Sequence, residues 1–304
     1  MKHFDRRSIL KAGLGGFAVV AAAPLFAAQA PARLTSKTLA GKIAVIDGAP
    51  GNVIALNASD GILLVDSGAA NMAAAVKAAL GGKVKTLFNT HYHADQTGGN
   101  ELFANDGASI HAHVITKQWL SSDYYVPSAD RWVKAPPVAA RPTVTFRDKG
   151  TMTAGDEHIE YGYLLEAHTR GDIYVYFRDT NVLAVGDVAS PLRDPSHDWY
   201  AGGWLGGRVD AMDDLLKLAN DNTMIVPAYG AVMTKAQLQA ERDMMAKLYD
   251  RTSTMTDHGQ SAKDMLDAGV MNEVNRKFDD PYRFLYDVAK GLWAHYTNFG
   301  GNIV

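Results

Sequence analysis

The chain has 304 residues, of which 47% are hydrophobic and 21% charged, with a formal charge of −3 and no cysteine. That is enough apolar material for one large globular domain or two small ones, and the mild negative charge leaves no electrostatic footprint for nucleic acid. Without cysteine, disulfides, thiolate catalysis and cysteine-ligated zinc are excluded, so any metal must rely on His, Asp, Glu or weaker oxygen donors.

The first segment is set apart from the rest. Asp5-Arg6-Arg7-Ser8-Ile9-Leu10-Lys11 precedes an uncharged run over 12–32 that is rich in Ala, Gly and Val. An arginine pair followed by an apolar residue and Lys resembles a twin-arginine export signal. The run is long enough to cross a bilayer but only weakly hydrophobic. It is therefore expected to be cleaved among the small residues 27–32 rather than kept as a membrane anchor. The expected division is a signal peptide over 1–32 and a mature chain over 33–304, with the twin-arginine machinery as a partner and the periplasm as the destination.

Residues 42–47 and 52–57 read as strands around the turn Gly48-Ala49-Pro50-Gly51, and the apolar run from Gly61 reads as a third strand ending in Asp66-Ser67-Gly68. The Ala-rich stretch 70–80 predicts a helix closed by Gly81-Gly82. Residues 84–89 read as a buried strand. That strand feeds Thr90-His91-Tyr92-His93-Ala94-Asp95-Gln96-Thr97-Gly98-Gly99-Asn100. In extended backbone, residues two apart point the same way, so His91, His93 and Asp95 are expected to leave the strand end on one side. Two imidazoles and a carboxylate so placed suit a borderline-soft divalent cation such as zinc. Gly98-Gly99 allows a tight turn and close backbone approach. A short helix over 100–105 and a strand over 109–114 follow, so the first half alternates strands with helices, as α/β layering requires.

Residues 121–142 are rich in Trp, Tyr, Pro and Arg, lack periodicity and read as a long loop or lid. Strands are expected over 143–146 and 158–165, then a hairpin over 172–178 and 181–185. Residues 189–207 form a second irregular insertion. A helix over 211–218, a strand over 224–226 and a helix over 235–249 follow. Ser261 with Asp264 three residues later resembles a capping box at the start of a helical tail. His168 lies just before one strand and Asp187, in Val185-Gly186-Asp187-Val188, just after another.

Taken in order, Val65-Asp66-Ser67-Gly68, the His91-x-His93-x-Asp95 loop, His168-Thr169, Gly186-Asp187 and Val226-Pro227-Ala228-Tyr229-Gly230 resemble the metallo-β-lactamase fold superfamily. The resemblance implies an α/β fold, a four-layer αββα sandwich with a metal site along one edge, and a single metallo-hydrolase domain over 33–304 with a helical tail. Matched residue by residue, His91, His93 and His168 correspond to the three-histidine first metal site, Asp95 to the second-site carboxylate, and Asp187 to the residue that bridges two metals in many of the family's hydrolases. Two positions depart from the pattern. Gln96 stands where the family has His, and Tyr229 stands where it has the His of a Pro-Gly-His-Gly turn. Neutral imidazole is a good zinc ligand, a Gln carbonyl is a weak one, and a phenol must first lose a proton with a reference pKa of about 10. The expectation is a zinc site of His91, His93 and His168, with a weak or empty second site. If filled, an oxygen-rich set of Asp95, Asp187, Gln96 and Tyr229 favours Mn or Fe.

With three histidine ligands a fourth position stays open to water, whose pKa falls toward about 7 and which attacks a lactam, lactone or ester of a small-molecule substrate. Asp95 is expected to orient that water or take its proton, and Tyr229 to donate to a developing oxyanion. The competing expectation is a periplasmic metal-containing binding or accessory protein with little or no turnover, because loss of two ligands is what such a degeneration leaves. Asp66 reads as a structural carboxylate and His111 and His113 as structural strand residues; His197 and Asp198 could reach the site and replace the lost ligands, but a solvated loop is the favoured reading. The aromatics of the two irregular segments read as pocket walls or ordinary packing.

Overall fold

Runs such as Gly61-Ile62-Leu63-Leu64-Val65 and Ile173-Tyr174-Val175-Tyr176-Phe177 are stable as strands only where both faces are covered. The computed structural model describes residues 34–126 and 130–297, and it covers them. The expected export segment lies outside the described residues.

The elements run β1 (Thr35–Ala40), β2 (Ile43–Asp47), β3 (Val53–Ala58), β4 (Gly61–Val65), α1 (Ala73–Leu80), β5 (Val84–Phe88), α2 (Ala94–Thr97), α3 (Asn100–Asn105), β6 (Ser109–His113), α4 (Val114–Ser121), β7 (Tyr124–Val126) and β8 (Arg131–Val133). They continue with β9 (Val144–Phe146), β10 (Lys149–Ala154), β11 (Glu157–Tyr163), β12 (Ile173–Phe177), β13 (Val182–Gly186), α5 (Leu205–Leu218), β14 (Met224–Pro227), α6 (Lys235–Asp257), α7 (Ala262–Asp267) and α8 (Pro281–Thr297). One sheet has the order β1-β2-β3-β4-β5-β6-β9 and the other β10-β11-β12-β13-β14.

Alternation along single strands sets the layers. Leu63 and Val65 of β4 face Val175, Phe177 and Ala184 in a core between the sheets, while Ile62 and Leu64 pack outward with Val76 of α1 and Phe103 of α3. On the second sheet Tyr174 and Tyr176 turn outward onto α5, α6 and α8, through Leu205, Met212, Leu238, Met245, Leu285 and Val288. The result is the expected αββα sandwich. No helix among the described residues is long and apolar enough to cross a membrane.

Several elements depart from expectation. β1 is an exposed edge strand with a polar sequence, so it carries no apolar alternation. The expected loop over 121–142 contains the β7–β8 hairpin, whose short strands are only partly buried. The helix expected from 211 begins at Leu205, through Gly206 and Gly207. Glycine is a poor helix former, but a Cβ at Gly207 would lie 2.2 Å from the carbonyl oxygen of Glu166, so the close approach of α5 to the His168 loop requires it. The helix expected over 235–249 extends to Asp257 and starts with a Thr234–Gln237 capping box. The Ser261–Asp264 capping box forms as expected.

The strand ends that matter share one edge. β4 delivers Asp66, β5 delivers Thr90 to Asp95, β13 delivers Asp187 and β14 delivers Tyr229; β4–β5 and β13–β14 are parallel pairs, so each pair's loops leave together. The connection from β11 to β12 brings His168 to the same place.

Candidate metal centre

Three imidazoles converge where those loops meet. The Nε2 of His91 lies 3.0 Å from Nδ1 of His93, and that atom lies 3.1 Å from Nε2 of His168. What each ring does with its other nitrogen decides what faces inward. His168 Nδ1 donates to the carbonyl oxygen of Ser196 at 2.9 Å, and a carbonyl can only accept. His93 Nε2 donates to the Asp198 carboxylate at 2.9 Å. Burial works against charge on Asp198, but the hydrogen bonds from His93 and Tyr92 hold its pKa below the usual carboxylate range, so it remains an acceptor. The Nδ1 of His91 lies 3.1 Å from Thr90 Oγ1, whose own hydrogen goes to Asp66 Oδ2 at 2.8 Å. His91 Nδ1 is therefore also the donor.

With His93 neutral, all three inward nitrogens carry lone pairs; burial works against a proton on His93, but the hydrogen bond and charge of Asp198 outweigh it and raise its pKa, so a proton and a cation compete for this ring. Burial holds His91 and His168 well below the ordinary imidazole pKa, so these two rings stay neutral. Three mutually repelling lone pairs about 3 Å apart need a cation between them. Tetrahedral Zn–N bonds of about 2.0–2.1 Å place neighbouring ligand nitrogens roughly 3.3 Å apart, so this donor set fits a single zinc-like ion. Asp187 Oδ2 approaches His91 Nε2 at 3.6 Å and His168 Nε2 at 3.7 Å, and the ligand atoms of His91, His93, His168 and Asp187 all lie within 4.8 Å of one another.

The remaining residues expected at the site stand beside this cluster. Extended backbone ends at His93, which caps α2, so Asp95 lies in the first helical turn and the two-residue period stops before it. Asp95 Oδ2 accepts the hydroxyl proton of Tyr229 and faces Gln96 Nε2 at 3.4 Å. Gln96 is fully buried, and its Oε1 has no hydrogen-bond partner among the described residues. The single proton of Tyr229 is thus committed to Asp95. The reading of His197 and Asp198 as a solvated loop is overturned. His197 is buried beneath Phe284, and Asp198 is half-buried between Tyr92 and His93. The insertion folds back over the site because Asp198 and Trp204 bond to the chain around His168, through Asp198 N to His168 O at 2.9 Å and Trp204 N to Ala167 O at 3.2 Å. His113 is structural: it caps α4 and stacks on Tyr163 with ring centroids 4.0 Å apart.

The loops are braced by residues without a sequence signature for metal binding. Asp172, whose pKa burial pushes up to about 7, accepts from the backbone N–H groups of His168 at 2.6 Å and Thr169 at 2.7 Å. Arg208 is fully buried and donates from Nη2 to the Ser196 carbonyl at 2.6 Å, the same carbonyl that orients His168. Asn52 ties down the Tyr229 loop by donating to Pro227 O at 2.8 Å and Gly230 O at 3.0 Å. At Gly98 a Cβ would lie 2.2 Å from the backbone nitrogen of Ala70, and at Gly99 2.6 Å from Ser67 O. The glycine pair serves close approach, at ordinary negative φ.

Comparison with known proteins agrees with this geometry. Residues 46–230 match the model of the metallo-beta-lactamase superfamily. The chain belongs to that superfamily. It is similar to the metallo-beta-lactamase type 2 of Bacillus sp. (strain 170), at 24% identity over 64% of this chain and 73% of the relative. Its fold is like that of a metallo-beta-lactamase from Pontibacter korlensis, with TM-score 0.57, 18% identity, and coverage of 70% of this chain and 99% of that one. It is also like the stereoselective inverting sec-alkylsulfatase Pisa1 from Pseudomonas sp., with TM-score 0.62, 16% identity, and coverage of 89% of this chain and 51% of that one. Family membership and the histidine–aspartate cluster together support a metal-dependent hydrolase.

The outward acceptors make a direct prediction. Asp198→Ala removes the group that orients His93 and should weaken metal affinity by roughly 10- to 100-fold, the usual cost of losing such a partner. Competition for zinc against a chromophoric chelator measures it, and an unchanged affinity would remove Asp198 from the account.

Proposed function

We propose that this protein is a hydrolase that uses one zinc-like cation, held by His91, His93 and His168, to open a lactam, lactone or ester of a small molecule. The observation that carries the reading is the convergence of three imidazole lone pairs, each enforced by an acceptor on the opposite ring nitrogen. A cation in that cage lowers the pKa of a water it binds toward about 7 and polarises a carbonyl. The protein's own groups supply the rest. A cavity of about 390 Å³ is lined by Tyr124, Trp199 and Tyr200 together with His93, Asp95 and His168. Aromatic walls beside convergent polar groups are the usual makeup of a small-molecule site.

Asp95 is the proton acceptor in this reading. Burial works against its charge, but the facing imidazoles and the Tyr229 hydroxyl hold its pKa below the ordinary carboxylate value, so it is available as a base near neutral pH. Tyr229 fixes the orientation of that carboxylate by donating its hydroxyl. The similarity to metallo-beta-lactamases of Bacillus makes a β-lactam the first bond to try.

The test is hydrolysis of a chromogenic cephalosporin, a lactone and a phenyl ester by protein stripped of metal and then reloaded. Turnover should vanish on stripping, return with zinc, and be abolished by His168→Ala. Asp95→Asn should keep the metal and lose about 10²–10⁴-fold in kcat, the range for a general base. Undiminished turnover by the stripped protein would defeat the hydrolase reading. Metal binding without turnover of any of the three would favour the accessory-protein alternative.

We also propose that the chain works in the periplasm after cleavage within 27–32, on the strength of the Arg6-Arg7 pair and the apolar run behind it. Lysine at both positions should leave uncleaved precursor in the cytoplasm, as read by fractionation and intact mass. Unimpeded export of that variant would count against the twin-arginine route.

A further inference from the structure

Resting on the reading of His91, His93 and His168 as a cation site, we propose that the guanidinium of Arg193 stands in for a second metal ion. The four donors that a second ion would need are Asp95, Asp187, Gln96 and Tyr229, and three of them are already engaged by protein groups. Arg193 Nη2 bonds both oxygens of Asp187, at 2.9 and 3.0 Å. The guanidinium carbon lies 3.5 Å over the ring of Tyr229, and the Tyr229 hydroxyl is spent on Asp95. Gln96 retains one unpartnered carbonyl oxygen, and one neutral acceptor is a poor basis for holding a divalent ion. This donor set does not fit a second metal.

A guanidinium suits the role physically. It stays charged at every working pH, and it can take a carboxylate on one edge while lying flat on an aromatic face. Asp187 is almost completely buried, and an unpaired carboxylate there would be costly, so the site needs a cation beside it. The Arg193 side chain is 39% exposed. A fixed positive charge is therefore held against Asp187, where a second ion would otherwise supply it.

The arginine is also held in place from outside the matched family region. Arg276 donates to the backbone carbonyl of Arg193, and the Asp194 carboxylate accepts from the backbone N–H groups of Asp279 at 3.1 Å and Asp280 at 2.9 Å. These residues lie between α7 and α8, beyond residue 230 where the family match ends. The carboxy-terminal segment thus positions the guanidinium, a role for the tail that the ligand motifs do not disclose.

The experiment is metal titration of stripped full-length protein with zinc and with manganese, read by elemental analysis and by manganese paramagnetic resonance. Wild type should bind one zinc equivalent and no further manganese. Arg193→Met, similar in length but uncharged, should accept a second ion, and added guanidinium chloride should expel that ion while leaving the first. Near-UV circular dichroism confirms that the variant is folded. Two ions in wild type, or one ion in a folded Arg193→Met protein under excess metal, would overturn the proposal. No ion in wild type would instead overturn the metal-site reading on which it rests.

Discussion

Everything at this site depends on three imidazole nitrogens that cannot satisfy one another. His91 and His168 are buried and neutral, His93 is half-buried beside Asp198, and with no proton between them the three rings present lone pairs about 3 Å apart. An arrangement of that kind is stable only with positive charge between the rings, and the protein enforces it from behind. Thr90 with Asp66, Asp198, and the Ser196 carbonyl each take the proton on the outward nitrogen, so each tautomer is fixed before any ion arrives. Burying a polar group is costly unless it is paired. Here the pairing is distributed over loops from both sheets, which couples ligand orientation to the fold as a whole.

The sandwich makes this possible by supplying rigid strands that all end at one edge. The inter-sheet core fixes the strands, and the outer layers of α1, α3, α5, α6 and α8 fix the sheets. Short braces then carry the precision from strand end to ligand: Asp172 beneath His168, Asn52 beneath Tyr229, Arg208 beneath Ser196. Such braces matter because ligand geometry off by even an ångström degrades a site of this kind.

Much of this was legible in the order of residues, because metal-binding side chains concentrate where strands stop. His91, His93 and His168 could be found by type and spacing, and Asp187 by its place after an apolar strand. The face assigned to Asp95 could not be, because the backbone turns helical at Ala94 and ends the two-residue period. Asp198 and Arg193 were hidden for a different reason. Their roles depend on how the insertion after β13 folds back onto the His168 loop, a path set by long-range backbone bonds. Ser196 acts through a main-chain carbonyl and leaves no trace in residue type. Arg208 fell before the helix expected from 211, because Gly206 and Gly207 looked like loop. One signal was available: Arg193 follows Asp187 by six residues in a site short of two imidazoles, and a cation was owed there.

X-ray absorption at the zinc edge of the reloaded wild-type protein tests the central claim most directly. One zinc with three imidazole nitrogens at about 2.0–2.1 Å is expected, with no metal–metal scattering in the 3.5–4 Å range of a two-metal site. Fewer than three imidazoles in the first shell, or a metal neighbour at that distance, would contradict it.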